Sequence, residues 1–463
     1  MLAAIPLVIS PEQVLSSPPA VTEDRRTRSL SMSKSEVVII GGGFAGLTAA
    51  RELTHRGVSV VVLEGRDRLG GRTWTDERLG LTLDVGGKSI HPSQPYVWPE
   101  LERYGLATVT AEAEPERFLV ATASGSQELD PEDMFVKLTQ AYGALAGEAP
   151  FVVPRPFDPW FSEAVNEADG QSVADRIAAL DLDEVSKALL EGQLATAYQS
   201  PLDEISFAHT LHFWSLSYWN VAVQIEAAAT YGIKGGTRSL IDAIAADTSA
   251  SIKLGTKVVE VTTSGDGVVV RTESGDEYEA SAVIVTVPIN ALPAVTFTPP
   301  LSAGKREAIA KGTASRGAKI WVRAKGHVAP FVAFASPEVS PITVGESYGT
   351  VDGDSIIDVF APDIRNIDPH DRAAVEAALR QWIPEIEVRA VDAHNWVEDE
   401  FSLETWPSPR VGDLTGAIPE LRKPEGRVFL AGADYAAGWY GHIDGAIESG
   451  IVTARRIRDL LSE

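Results

Sequence analysis

Three glycines, Gly41, Gly43 and Gly46, stand at the spacing that a dinucleotide phosphate requires. They follow an apolar, β-branched run at residues 36–40 and precede a segment rich in Leu, Ala, Arg and Glu at residues 47–56, which predicts a buried strand, a tight turn and a helix. Glycine permits the turn and the close approach of the backbone to a pyrophosphate, and the helix N-terminus supplies free N–H groups. The pattern therefore predicts a dinucleotide site.

An acidic residue, Glu64, closes the second predicted strand, residues 59–63. It stands 18 residues after Gly46, where a carboxylate can accept hydrogen bonds from ribose hydroxyls. Because an acid at this position disfavours a 2′-phosphate, FAD or NAD is expected rather than NADP.

The residues after Glu64 distinguish FAD from NAD. They contain the pattern E-x5-GGR, in which Arg66 and Arg72 are permanent cations suited to a pyrophosphate. Here the sequence resembles the flavin monoamine oxidase family, within the larger group that has glutathione-reductase-like FAD domains. The resemblance implies that Arg66 and Arg72 help to hold the phosphates and that Gly70 and Gly71 pass close to the flavin.

The resemblance extends from residue 34 to the end of the chain. The motif D-V-G-G at residues 84–87 looks like the family's element that faces the flavin ring, and Asp434 closes a motif similar to its second FAD motif, near the ribityl chain. The backbone N–H of Ile443 is implied to face the N1–C2=O edge of the flavin, at the start of the last helix. The implied cofactor-binding residues are Gly41, Gly43, Phe44, Ala45, Gly46, Glu64, Gly65, Arg66, Gly70, Gly71, Arg72, Gly86, Gly87, Lys88, Val258, Trp396, Gly432, Asp434, His442, Ile443 and Ala446.

Three side chains are expected to act as catalytic residues: Lys319, Trp406 and His442. Lys319 lies in an apolar run, and a buried lysine usually has a role or a partner, although it could instead snorkel from an edge strand. The resemblance places Lys319 where the family has a lysine bridged by water to flavin N5, and it places Trp406 and His442 where two aromatic rings flank the substrate amine. His442 departs from the commoner tyrosine. Packing roles remain the alternative for Trp396, Trp406 and His442.

Cysteine is absent from the 463 residues, which excludes disulfides, thiol nucleophiles and a cysteinyl flavin. Thr405 occupies the position of the flavin-linking cysteine of covalent relatives, so that FAD is expected to be held non-covalently, with a histidyl link as the alternative. The net charge of −25 disfavours nucleic acid and anionic membranes as partners. The eight histidines show no metal-ligand spacing, and no metal site is expected.

The motifs lie at both ends and near the middle of the chain, which predicts two interleaved domains of an α/β (α+β) fold. A Rossmann-like FAD-binding domain is expected at residues 34–110, 231–295 and 396–463. A substrate-binding domain with a mixed sheet and helices is expected at residues 111–230 and 296–395. Residues 1–33 are interpreted as a disordered leader without a signal peptide, and the protein is expected in the cytoplasm.

Further strands are predicted at residues 251–261, 282–287 and 427–431. Aromatic residues of the middle segments, including Tyr218 and Trp219, are expected to line the substrate cavity.

The resemblance implies an FAD-dependent amine oxidase whose details are most similar to the bacterial branch of nicotine oxidase and pseudooxynicotine amine oxidase. A small primary or secondary amine would lose a hydride to flavin N5, water would hydrolyse the imine, and O2 or an electron carrier would reoxidise the flavin, O2 giving H2O2. Two alternatives stay open: a flavoenzyme of the same fold acting as an L-amino-acid oxidase or desaturase, and a non-catalytic scaffold. The sequence specifies neither the amine nor the oligomeric state, and a homodimer remains open.

Overall fold

The computed structural model describes residues 32–110 and 114–462. Residues 1–31 of the predicted leader lie outside the described residues, whereas Met32–Lys34 form a strand, two residues of which fall inside the predicted leader. The strands, in chain order, are β1 (Met32–Lys34), β2 (Val37–Ile40), β3 (Val60–Leu63), β4 (Thr75–Arg78), β5 (Leu81–Asp84), β6 (Thr108–Val109), β7 (Arg117–Thr122), β8 (Gly125–Leu129), β9 (Gly232–Ile233), β10 (Ser251–Lys253), β11 (Val258–Ser264), β12 (Gly267–Thr272), β13 (Glu277–Ala280), β14 (Ala282–Val285), β15 (Thr296–Thr298), β16 (Ala318–Ala324), β17 (Phe331–Ala335), β18 (Val344–Val351), β19 (Asp354–Ala361), β20 (Val388–Asp392) and β21 (Val428–Leu430).

Helices connect and cover these strands. They are α1 (Phe44–Thr54), α2 (Trp98–Tyr104), α3 (Pro131–Ala146), α4 (Ala149–Val152), α5 (Ala164–Asp169), α6 (Val173–Ala178), α7 (Glu184–Tyr198), α8 (Phe207–Leu216), α9 (Val221–Ala229), α10 (Thr237–Ala246), α11 (Ala303–Lys311), α12 (Arg372–Leu379), α13 (Ala417–Leu421) and α14 (Ile443–Leu461), with 3-10 helices at Ile289–Ala294 and Ala433–Tyr435. Among the helices of the described ranges, none is both long enough and apolar enough to cross a bilayer.

Five parallel strands form a sheet, called here the parallel sheet, with the order β10-β3-β2-β14-β21. Strands β2, β3, β14 and β21 are buried throughout, because helices cover both faces of such a sheet and select continuous apolar runs. Helices α1 and α14 pack against each other beside it. Strands from both ends and from the middle of the chain therefore meet in one sheet, in agreement with the strand predictions for residues 36–40, 59–63, 282–287 and 427–431.

A second sheet has the order β1-β13-β12-β11-β15. It corrects one prediction: residues 251–261 do not form a single strand. Strand β10 belongs to the parallel sheet and β11 to the second sheet, because the chain turns at Gly255, whose φ is +60° and whose N–H donates to the Arg66 carbonyl. An apolar pattern that continues through a turn does not reveal a change of sheet.

The third sheet, called here the large sheet, has the order β20-β16-β19-β18-β17-β7-β8 and is antiparallel except between β17 and β7. Helix α7 packs across β7 and β17, and α3 packs on α7. Asp183 caps the N-terminus of α7 by accepting a hydrogen bond from the Ser186 N–H. The mixed fold class predicted from the sequence is confirmed; the domain boundaries stay a prediction.

Candidate active site

One cavity of about 400 Å³ extends from the loops of the parallel sheet to the large sheet. Nearly all predicted site residues line it. They are Gly41, Gly43, Phe44, Ala45, Glu64, Gly65, Arg66, Gly70, Gly71, Arg72, Gly86, Gly87, Lys88, Val258, Lys319, Trp396, Trp406, Gly432, His442, Ile443 and Ala446. Gly46 and Asp434 do not line the cavity wall but support residues that do.

The glycine loop before α1 packs backbone against backbone. A Cβ on Gly46 would lie 2.1 Å from the carbonyl oxygen of Gly41, and one on Gly41 would lie 2.3 Å from Thr286 Oγ1. Gly43, the residue before α1, faces the Gly70–Gly71 backbone instead, with nothing closer than 3.8 Å to the position of its Cβ. No side chain caps the N-terminus of α1, so its first N–H groups remain available to an anion. The loop fits a dinucleotide pyrophosphate.

Glu64 is buried where β3 ends and holds the loop backbone. One carboxylate oxygen accepts from the Gly42 N–H at 2.6 Å, and the other accepts from the Arg66 N–H at 2.8 Å. Each oxygen retains acceptor capacity on the cavity side, because a carboxylate has about four lone-pair sites. The predicted role of Glu64 toward ribose hydroxyls fits this position and stays a prediction.

Both predicted phosphate arginines are paired with acids. The Arg66 guanidinium donates to Asp399 at 2.6 Å, and the Arg72 guanidinium donates to Glu404 at 2.6 Å and to Asp434. Asp434, predicted near the ribityl chain, also accepts from the backbone N–H of Ile289. A phosphate would therefore bind the guanidinium N–H groups of these arginines that are not used in the ion pairs.

The sequence analysis missed Asp399 and Glu404. Glu404 is fully buried, and burial together with the neighbouring Asp434 raises its pKa well above the ordinary value. It directly precedes Thr405 and Trp406, both of which were singled out, so its position beside two candidate site residues was the signal available.

The last helix presents a second uncapped N-terminus to the cavity. His442 precedes α14 with no side-chain cap, and Ile443 and Ala446 of its first turn line the wall. The His442 ring contacts Phe213 and Trp439, with centroids 5.2 and 5.3 Å away. Burial lowers the pKa of His442, so that the ring is neutral at neutral pH.

Trp406 and Trp396 are fixed by backbone carbonyls. The Trp406 indole N–H donates to Ala197 at 2.7 Å, and the Trp396 indole N–H donates to Val85 at 3.2 Å. Trp406 and His442 line the same cavity, as the amine-cage prediction requires. Thr405 also lines it, with its hydroxyl 2.5 Å from that of Ser315.

One face of the large sheet forms the opposite wall. In the registers of β16, β18 and β19, Lys319 lies opposite Phe360, Phe360 opposite Val344, and Asp358 opposite Glu346. Directly opposed residues share a face, and residues two apart along a strand share it too. On β17, Val332 lies opposite Glu346 and Phe334 opposite Val344. The wall beside Lys319 therefore includes five residues that were not predicted: Val332, Phe334, Val344, Glu346 and Phe360.

Lys319 is 4% exposed, and its amine donates to the Asp84 carbonyl at 3.0 Å. Burial, and after it the cationic Lys88, lower the pKa of Lys319 to about 7. Lys88 was predicted to bind the cofactor. It lines the cavity, but its amine donates to Asp358 at 2.8 Å and lies 3.4 Å from Glu346.

One expectation about the middle segments is corrected. Tyr218 and Trp219 do not line the cavity; they are 61% and 45% exposed, in the turn after α8, and both have positive φ. Helices α7 and α9 line it instead, through residues that include Gln193, Thr196 and Gln224.

In the part of the chain that the structure describes, no group of three or more His, Asp or Glu side chains could hold a metal ion.

Comparisons with known proteins identify the family of this chain. A family model described as flavin containing amine oxidoreductase matches residues 44–458. Nicotine dehydrogenase of Pseudomonas putida (strain DSM 28022 / S16) is 35% identical over 430 residues, which cover 92% of this chain and 89% of that protein. Pseudooxynicotine dehydrogenase of a Pseudomonas species is 36% identical over 420 residues, 90% of this chain and 84% of that protein.

The fold is shared with a solved structure of putrescine oxidase bound to putrescine. That structure is 21% identical and has a TM-score of 0.81, with 94% of this chain and 100% of that chain covered. The family predicted from the E-x5-GGR and C-terminal motifs is thus confirmed. The chain belongs to the flavin-containing amine oxidoreductases, in the branch that includes the nicotine and pseudooxynicotine dehydrogenases.

Proposed function

We propose that this enzyme holds FAD without a covalent bond and oxidises the C–N bond of a small primary or secondary amine to an imine, which water hydrolyses to a carbonyl compound. One observation carries the proposal: a single cavity joins the glycine loops of the parallel sheet to an apolar wall that presents Lys319. When bound, FAD supplies the two-electron acceptor. The chain's own residues bind the amine, orient it and exclude water.

For the cofactor, the N-terminus of α1 and the Gly41–Gly46 loop are assigned to the pyrophosphate, Glu64 to the ribose, and the N-terminus of α14 to the flavin ring. Two helix N-termini without side-chain caps, both facing one cavity, support this assignment. Non-covalent binding is supported by Thr405 on the cavity wall and by the absence of cysteine from the sequence.

For the amine, Trp406 and His442 are assigned to the two sides of the nitrogen. The hydrogen bond from Trp406 to Ala197 fixes one ring, and burial keeps His442 neutral, so that His442 does not repel a cationic substrate. Apolar side chains such as Phe334 and Phe360 favour the neutral form of the amine, because burying an unpaired ammonium is costly.

An amino-acid substrate is disfavoured by the pairing of the cavity's cations. A substrate carboxylate needs a free cation, whereas Arg66, Arg72 and Lys88, all on the wall, are already paired with carboxylates. Lys257, also on the wall, is paired with two exposed carboxylates. Amines are therefore expected to be better substrates than amino acids. O2 is the proposed oxidant, giving H2O2, and an electron carrier is the alternative, suggested by relatives that are named dehydrogenases.

Acid precipitation of the purified protein tests the cofactor assignment: a yellow chromophore in the supernatant is expected, and one that stays in the pellet would mean a covalent bond. Anaerobic mixing with nicotine, pseudooxynicotine, putrescine and a set of L-amino acids then tests the substrate class through bleaching of the flavin. Faster bleaching by amino acids than by every amine would reject the assignment. Readmitting O2 or adding an artificial electron acceptor identifies the oxidant.

A further inference from the structure

Two lysines share one buried aspartate on the large-sheet wall of the cavity. The Lys88 amine lies 2.8 Å from Asp358 Oδ2, and the Lys319 amine lies 3.9 Å from the same oxygen. Asp358 is fully buried, and Lys88 is 16% exposed on its side chain. Because both amines approach one oxygen, they lie within about 7 Å of each other, close enough for strong repulsion if both are charged.

Trp321 links the two lysines. Its ring centroid lies 4.4 Å from the Lys319 amine and 5.6 Å from the Lys88 amine. The Tyr348 ring lies 5.2 Å from the Lys88 amine. Contacts with Asp358 and with the two aromatic rings therefore hold the Lys88 amine in place. Asp358 lies closer to the Lys88 amine than to the Lys319 amine.

The charged groups that face Lys319 come from four segments. They are Asp84 at the end of β5, Lys88 after it, Glu346 on β18 and Asp358 on β19. Asp84 approaches Lys319 with its backbone carbonyl, while its carboxylate accepts from Thr75 at 2.6 Å.

The groups of this cluster differ in the pH at which they lose a proton. Against the effect of burial, Asp358 and Glu346 raise the pKa of Lys88, so that Lys88 stays charged. Burial, and after it Asp358, raise the pKa of Glu346 to about 7. Lys319 is thus the lysine of the pair that can lose its proton near neutral pH.

We propose that Lys88 is a positioning residue: it occupies Asp358 and thereby keeps the Lys319 amine neutral and able to accept a proton at the cavity wall. The inference rests on the proposed amine oxidation. A substrate amine arrives largely protonated at neutral pH, and its nitrogen lone pair must be free before the C–N bond is oxidised. One N–H bond breaks at the substrate and one forms at Lys319, without electron transfer, and Asp358 lies beside the resulting ammonium.

NMR of the full-length protein labelled with 13C at lysine Cε tests this directly, since the shift of each Cε reports the charge of its amine. The Lys319 signal is assigned by its absence in Lys319→Met. In the parent it is expected to titrate near 7. In Lys88→Met the midpoint should rise by about one pH unit or more, and in Lys88→Arg, which keeps the charge, it should stay within about half a unit.

In Asp358→Asn the midpoint of the Lys319 titration should shift in the opposite direction. Asp358 favours the charged form of Lys319, and its loss also leaves the charge of Lys88 unbalanced, so that the Lys319 midpoint should fall below that of the parent. An unchanged midpoint in Lys88→Met would overturn the proposal, and so would a midpoint in Asp358→Asn that stays or rises. If Lys88→Met does not fold, Lys88→Gln takes its place, because Asp358→Asn lowers the midpoint even without a role for Lys88. The signal of Lys325, which is 54% exposed, should not change in any variant.

The pH profile of kcat/KM distinguishes this inference from the proposed function. The acidic limb should move to higher pH in Lys88→Met and return in Lys88→Arg. A parent protein that oxidises no amine would refute the proposed function while the NMR titration still decides the role of Lys88. Amine oxidation with an unmoved Lys319 midpoint would refute only the role of Lys88.

Discussion

The two walls of the cavity are built in different ways. The glycine loop before α1 is backbone against backbone, and its key contact joins residues only five positions apart, Gly41 and Gly46. The large-sheet wall is side chain against side chain, and its key contacts join Lys88, Lys319 and Asp358, from three distant segments. A local backbone device leaves a short motif in the sequence, whereas a cluster assembled across strands leaves only isolated residues.

The difference has an energetic side. Glycine contacts fail through steric overlap, which no change of pH relieves. The lysine cluster depends on charges that are buried together, so its stability changes with pH and with the partner that is removed. Variants can therefore break one wall without the other.

Gly46→Ala should have the largest effect. Its Cβ would lie 2.1 Å from the Gly41 carbonyl oxygen, so that the loop must move and FAD affinity should fall by two orders of magnitude or more, about 3 kcal/mol. FAD titration of the apoprotein measures the loss. Gly143→Ala is the matched control, because a Cβ there, inside α3, meets nothing within 4 Å. Parent-like affinity in Gly46→Ala would show that the loop is not close-packed.

Lys319→Met tests the other wall through pH. The pKa of Lys319 falls from 10.5 to about 7 on folding, so the unfolded chain binds more protons between these values and the parent loses stability as pH falls from 10.5 to 7. Methionine removes this dependence. The free energy of unfolding of Lys319→Met minus that of the parent should thus be a few kcal/mol larger at pH 6 than at pH 10.

Chemical denaturation at the two pH values measures the difference. The exposed Lys325→Met variant is the control and should show no such change with pH. An equal effect of Lys319→Met at both pH values would mean that Lys319 is charged in the folded protein.

Glu404→Gln should have the smallest effect of these variants, and Asp434→Asn should have a clearly larger one. Both acids accept from Arg72, but burial and Asp434 raise the pKa of Glu404, so that Gln resembles its protonated form. Glu404→Gln should cost below about 1 kcal/mol of unfolding free energy, and Asp434→Asn about 3 kcal/mol. Denaturant unfolding compares them, and the reverse order would place the charge on Glu404.

Much of the cofactor wall could be predicted because its requirements are local. The glycines, Glu64 and the βαβ pattern each follow from the strand, turn or helix that contains them. The predictions were least complete where partners come from elsewhere: Arg66 and Arg72 line the cavity, but their partners Asp399 and Glu404 lie more than 300 residues away. The prediction for Tyr218 and Trp219 was wrong, because their aromatic character indicated a cavity whereas their turn faces solvent.

The sequence by itself determined the dinucleotide loop, the family and the absence of a cysteinyl flavin, because these depend on residue identity and on spacing within one segment. Only the tertiary structure decided which side chains face one another across the cavity. Strand register brought Glu346 opposite Asp358, and the packing of the segment after β5 brought Lys88 to the same carboxylate. Register and packing depend on the free energy of the whole chain, and no local pattern of residues encodes them.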